Sequence, residues 1–210
     1  MDKQTILNQY ADKEDKMLLS FVYDRLESSR KKNYCIFSDF LDSTQIMKVQ
    51  TAFSYLKDEL MFSSKIKNAQ SCLASLRFDF FEIPTKILEI RLPKNCSVKH
   101  SDILGSIMSL GIKRQKIGDI IVNNDGYFVE AKEEIADFLK NNLASIRTFP
   151  VDIIILPDDE YVERVQEYED LTYTVSSLRL DCIVSSILNL SREKAKQYIL
   201  MGNAKVNHEE

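Results

Sequence analysis

The spacing of apolar residues changes twice along this chain of 210 residues, and each change demands a different kind of burial. Met17, Leu18, Phe21, Val22 and Leu26 fall on one stripe of a helix predicted over residues 14–31. Ile46, Val49, Phe53 and Leu56 line one side of a second helix, capped by Ser43 and reaching about residue 60. Between them Cys35-Ile36-Phe37 reads as a short strand and Phe40-Leu41-Asp42 as a turn. From Leu73 the period is that of strands, predicted over 73–81, 87–92, 117–122, 127–129 and 151–156, with helices over 101–110 and 132–143. Asn124-Asp125-Gly126 marks a tight hairpin between two of these strands. The continuous apolar run 151–156 reads as a buried strand. From Ser177 the spacing is helical again.

Strands interleaved with two helices make an α+β sandwich, with helices on one face of a mainly antiparallel sheet. The expected fold class is therefore α+β and multi-domain. Residues 1–70 form a small α-rich domain and 71–160 the sandwich; 161–176, entered through Pro157-Asp158-Asp159-Glu160, form a linker, and 177–210 a terminal domain.

In the terminal segment Leu180, Ile183, Val184, Ile187 and Leu188 stand at i, i+3, i+4, i+7, i+8. Ser191 caps a second helix with Ala195, Tyr198 and Ile199 inward and Arg192, Lys196 and Gln197 outward; Gly202 ends it, and Ala204-Lys205-Val206 reads as a short strand. The net charge of −4 is unevenly spread: 11 basic against 10 acidic residues in 1–70, 12 against 18 in 71–176, and 5 against 4 in 177–210. Binding to a polyanion depends on potential within about 8 Å, so an acidic middle does not exclude nucleic acid.

Arg179-Leu180-Asp181, then Leu190-Ser191-Arg192 with Ala195 three residues on, then Gly202 followed by Val206-Asn207, resembles the small RNA-binding domain named for ribosomal small-subunit protein S-four. That resemblance implies an RNA face made by Arg179, Ser191, Arg192, Lys194 and Lys196, joined by Gln197 and Lys205. With the stretch from His100 to Asp119, Phe37-Ser38-Asp39-Phe40-Leu41-Asp42 and Ser176-Ser177-Leu178-Arg179-Leu180-Asp181, nearly the whole chain is similar to the bacterial YlmH family. The resemblance implies an RNA-recognition-like middle domain, an S-four-type terminal domain incomplete at its C-terminus, and rRNA and tRNA as partners. It further implies work on large ribosomal subunits carrying peptidyl-tRNA in ribosome-associated quality control, and a link to cell division. The reading depends on the arginine and lysine groups being free of internal ion pairs.

Gly111 to Gly118 places Lys113, Arg114 and Lys116 in a loop suited to phosphate, without the G-K-[ST] ending of a nucleotide-cradling loop. Arg30-Lys31-Lys32 suit either a helix C-terminus or RNA. Phe78, Phe80 and Phe81 are placed on a strand, as core or as base-stacking rings. His100 and Asp102 read as helix-entry caps. With His100 and His208 the only histidines, and Cys35, Cys72, Cys96 and Cys182 far apart, neither metal nor nucleophilic chemistry is suggested. No cofactor, small-molecule substrate or catalytic residue is expected. The N-terminus lacks the apolar core of a signal peptide and no segment approaches a membrane span, so a soluble cytoplasmic protein is expected. Two rival functions stay open: an RNA-modifying enzyme of pseudouridine-synthase type, for which Arg179-Leu180-Asp181 would be catalytic, and a cell-division adaptor docking through its acidic middle.

Overall fold

The computed structural model of the protein describes residues 2–123, 126–158, 162–163 and 172–204. Two compact units divide the chain, 1–165 and 166–210.

The first unit opens with α1 (Lys3–Leu7), capped by Asp2, and α2 (Lys13–Lys32), capped by Asp12. Three cations crowd the last turn of α2, where they offset the helix dipole, and Asn33 closes it at φ 57°. A two-residue strand β1 (Phe40–Leu41) stands where a turn was expected, and the predicted strand at Cys35-Ile36-Phe37 does not form. Helix α3 (Ser43–Ala52) follows. Its cap is Asp42, not Ser43: the Asp42 carboxylate accepts from Gln45 N at 2.9 Å while Gln45 Oε1 accepts from Asp42 N at 3.1 Å. The helix also stops at Ala52, replaced by a 3₁₀ turn over Ser54–Leu56.

Strands β2 (Leu60–Ser63), β3 (Ile66–Lys67) and β4 (Cys72–Leu76) come next. Antiparallel pairing gives the order β1-β4-β2, so the run that begins the strand-like period completes the N-terminal sheet. Leu19, Val22 and Leu26 of α2 and Val49 of α3 pack with Phe53, Ala74 and Leu76 as its core. The strand predicted to reach residue 81 ends at Leu76. Arg77 N–H turns to Glu59 O at 2.7 Å, and Phe78, Phe80 and Phe81 lie outside any strand, with Phe80 94% exposed.

The middle region runs β5 (Thr85–Arg91), α4 (His100–Ser109), β6 (Ile117–Asn123), β7 (Gly126–Lys132), α5 (Glu133–Asn142), β8 (Ser145–Ile146), β9 (Phe149–Pro150), β10 (Asp152–Ile155), with β11 (Val162–Glu163) beyond. Its main sheet is antiparallel in the order β10-β5-β7-β6, a β-α-β-β-α-β sandwich. Leu88, Ile90, Ile117, Val129 and Ile153 meet Ile103, Ile107 and Leu139 of the two helices. The expected hairpin joins β6 to β7; its Asn124 and Asp125 lie outside the described residues. The apolar run 151–156 is an edge strand: of β10 only Ile153 is buried, and Asp152 is exposed.

The opposite sheet face is closed by the N-terminal region. Ile66 of β3, Leu156 and Val162 cover Ile87 and Ile121, while β11 pairs in parallel with β3. Glu130, fully buried, accepts from Lys65 N at 2.8 Å, Ser64 Oγ at 2.5 Å and Thr85 Oγ1 at 2.7 Å. Asp119 accepts from Gln70 N at 2.8 Å and Ser71 N at 3.0 Å, and Lys132 Nζ donates to Ser38 O at 2.9 Å. Each of these buried polar groups finds a hydrogen-bond partner across the seam.

The second unit contains α6 (Leu180–Ile187) and α7 (Arg192–Leu200). Helix α6 starts three residues later than Ser177, whose hydroxyl donates instead to Cys182 Sγ at 3.4 Å. Cys182, Val184 and Ala195 are buried between the helices, and Gly202 at φ 72° ends the pair as expected. Of the strand predicted at Ala204-Lys205-Val206, Lys205 and Val206 lie outside the described residues.

Candidate nucleic-acid interface

The terminal unit brings most of its predicted cations together by helix entry geometry. Ser191 Oγ accepts from Lys194 N at 3.4 Å, which fixes the first turn of α7, and Arg192, Lys194, Lys196 and Gln197 are all exposed. Arg179, at the entrance of α6, reaches the same place through Asp181. Arg179 Nε stands 3.0 Å from Asp181 Oδ1, and Arg192 Nε stands 2.9 Å from Asp181 Oδ2.

The condition that these cations be unpaired is therefore not met by the two arginines. One acid in the first turn of α6 sits between them and is itself shut off from solvent, with 6% side-chain exposure against 64% for Arg179 and 55% for Arg192. The two flanking guanidinium groups hold the Asp181 carboxyl well below the usual carboxylate range, so it stays ionised. Lys194 and Lys196 are exposed and have no ion pair among the described residues. Lys205 lies outside those residues.

The middle loop is different from its expected form. Lys113 is exposed. Arg114 turns its guanidinium back onto the carbonyls of Ile117 and Gly118, capping a 3₁₀ turn over Arg114–Lys116. Lys116 is held by Asp39 at 2.8 Å and Glu134 at 2.7 Å, two charges on strand-distant parts of the chain. Lys116 thus serves the junction between β6 and the N-terminal region, while Lys113 and Arg114 are exposed, Arg114 with its guanidinium engaged locally. Nothing in the local sequence signals this, because Asp39 lies 77 residues from Lys116.

The sheet face that RNA-recognition folds use to stack bases is filled here by Ile66 and the 64–71 backbone. The aromatics read as core or as base-stacking rings are elsewhere: Phe78 packs against the N-terminal core, and Phe81 on Phe37 with ring centroids 6.2 Å apart. Asp102 is a cap as predicted, accepting from Lys99 N at 2.9 Å. No group of three or more metal-ligating side chains is found among the described residues, and no helix among them is long and apolar enough to cross a membrane.

The first unit holds a β-α-β-β-α-β sandwich and the second a capped helix pair, and the sandwich corresponds to an RNA-binding-domain class. The chain is similar to proteins of the YlmH family. Residues 77–160 match the family model described as "Putative RNA-binding domain in YlmH". A relative from Bacillus subtilis (strain 168), ribosome-associated protein quality control protein P2, is 27% identical over 176 residues, covering 81% of this chain and 68% of the relative. A solved structure, cell division protein ylmH from Streptococcus pneumoniae, shares the fold with a TM-score of 0.56 at 20% identity, covering 73% of this chain and 98% of that one.

Proposed function

We propose that this protein is a non-catalytic RNA-binding factor that docks on structured rRNA or tRNA through the α6–α7 surface. Its place of work in this reading is the large ribosomal subunit carrying peptidyl-tRNA, during ribosome-associated quality control. What supports it is that Lys194 and Lys196 of α7 are exposed and have no ion pair among the described residues, beside the part-exposed guanidinium groups of Arg179 and Arg192. The quality-control role is supported by the name of the Bacillus subtilis relative. A catalytic role for Asp181 is disfavoured, since both its oxygens are engaged by arginines and little of the side chain meets solvent.

Affinity should come mainly from phosphate contacts and fall with salt, by a log–log slope of about 0.7–0.9 per phosphate neutralised. Lys194→Ala with Lys196→Ala is expected to leave the fold intact and weaken co-sedimentation with large ribosomal subunits by about tenfold, with a shallower salt slope. Unchanged pelleting and an unchanged slope would remove this surface from the function.

A further inference from the structure

Resting on that RNA reading, we infer that Arg179 and Arg192 form a two-pronged site for one phosphodiester group, and that Asp181 is the positioning residue that builds it. Two guanidinium groups brought side by side repel each other and, on flexible stems, would splay apart. Here a single shielded carboxylate holds both, one on each oxygen, at 3.0 and 2.9 Å, with a third contact from Arg179 Nη2 to Oδ2 at 3.4 Å. The acid is at the base and the guanidinium groups are more than half exposed.

Each guanidinium carries five N–H donors. Arg179 spends two on Asp181 and Arg192 one, leaving three and four for a ligand. The contacts to Asp181 take Nε and Nη2 of Arg179 and Nε of Arg192, so Nη1 of Arg179 and both Nη groups of Arg192 stay available for donation to a phosphate. Charge favours an anion as well: two arginines and one aspartate sum to +1, and Lys194 and Lys196 raise this to +3 before Glu193 brings it to +2. Fixing two long side chains before binding removes much of the ordering entropy that RNA contact would otherwise require.

The consequence runs against simple charge counting. Removing an acid from a polyanion-binding surface ordinarily tightens binding; removing this one should loosen it. The test uses the full chain, with bulk tRNA followed by fluorescence anisotropy and purified large ribosomal subunits followed by pelleting, each over a range of salt. Asp181→Asn is expected to weaken binding by about fivefold or more, with a shallower salt slope. In an Arg179→Ala/Arg192→Ala background the same substitution should produce no further loss.

Equal or tighter binding by Asp181→Asn would overturn the positioning role, as would an equal loss in the arginine-free background, which would mark Asp181 as structural. If amide spectra show that Asp181→Asn loosens residues 166–210, Arg179→Lys with Arg192→Lys carries the test, because it keeps the charge and removes the fork. Weakening then supports the site and unchanged affinity sinks it. Failure of the unaltered chain to bind either probe would overturn the RNA reading itself, and the phosphate site with it.

Discussion

Glu130 shows what a single residue contributes to this protein. Its carboxyl is fully buried, and three donors from two different parts of the chain converge on it. Glu130→Ala should cost about 2–4 kcal/mol, because it strands Lys65 N, Ser64 Oγ and Thr85 Oγ1 as well as opening a void. Glu130→Gln keeps an oxygen for the donors and should cost far less. Burial raises this carboxyl above its ordinary 4.5, outweighing the three hydrogen bonds. Above pH 4.5 the folded chain then binds more protons at this site than the unfolded chain, so its contribution to stability declines as pH rises towards the folded-state value. Urea unfolding of the wild type and Glu130→Gln across pH 4–8 checks the sign: the stability of the wild type relative to Glu130→Gln should be greatest at the acid end and fall as pH rises. The strand predicted over 127–129 stops short of Glu130, and only its three partners, brought from residues 64, 65 and 85, reveal its role.

Among the elements, β6 and β1 meet closely at Gly118. A Cβ added at Gly118 would stand 2.6 Å from the ring of Phe40, which is buried. Gly118→Ala should therefore destabilise by about 1–3 kcal/mol, lowering the Tm by roughly 2–12 °C, and Phe40→Leu in the same chain should recover part of the loss. Calorimetry of the two variants tests this directly; a Gly118→Ala protein with unchanged Tm would mean that the ring moves freely. The same junction holds Lys116 between Asp39 and Glu134, which removes one of the loop's three cations from open charge. At this scale the sequence was legible where the signal is local. Helices α2, α4 and α5 and the β6–β7 hairpin stand within a few residues of their predicted bounds, because apolar period and turn chemistry act over a turn or two. It misled where neighbours decide: β4 joins the N-terminal sheet, and the apolar run of β10 lies on an edge.

For the first unit taken whole, the middle sandwich and the N-terminal region share one seam. The sheet face that would otherwise be open carries Ile87, Ile121, Asp119, Glu130 and Lys132, all satisfied by residues before 72 or after 155. Excising residues 77–158 should expose that face and leave buried charges without partners. The fragment is expected to bind a hydrophobic dye and to unfold at lower urea than residues 1–165; equal stability would show that the seam contributes nothing. Any RNA contact made by the middle region must then come from its loops and helix side, since its stacking face is occupied.

The sequence by itself determined the periodic elements, the capping of the last helix by Ser191, its stop at Gly202 and the clustering of cations around residues 179–196, all consequences of spacing within one or two turns. Tertiary structure alone decided which of those cations remain available. Asp181 braces Arg179 and Arg192, Asp39 and Glu134 claim Lys116, and the 64–71 backbone closes the sheet. Charges pair with whatever the fold brings within about 3 Å, and most of those partners lie too far along the chain for any local pattern to carry them.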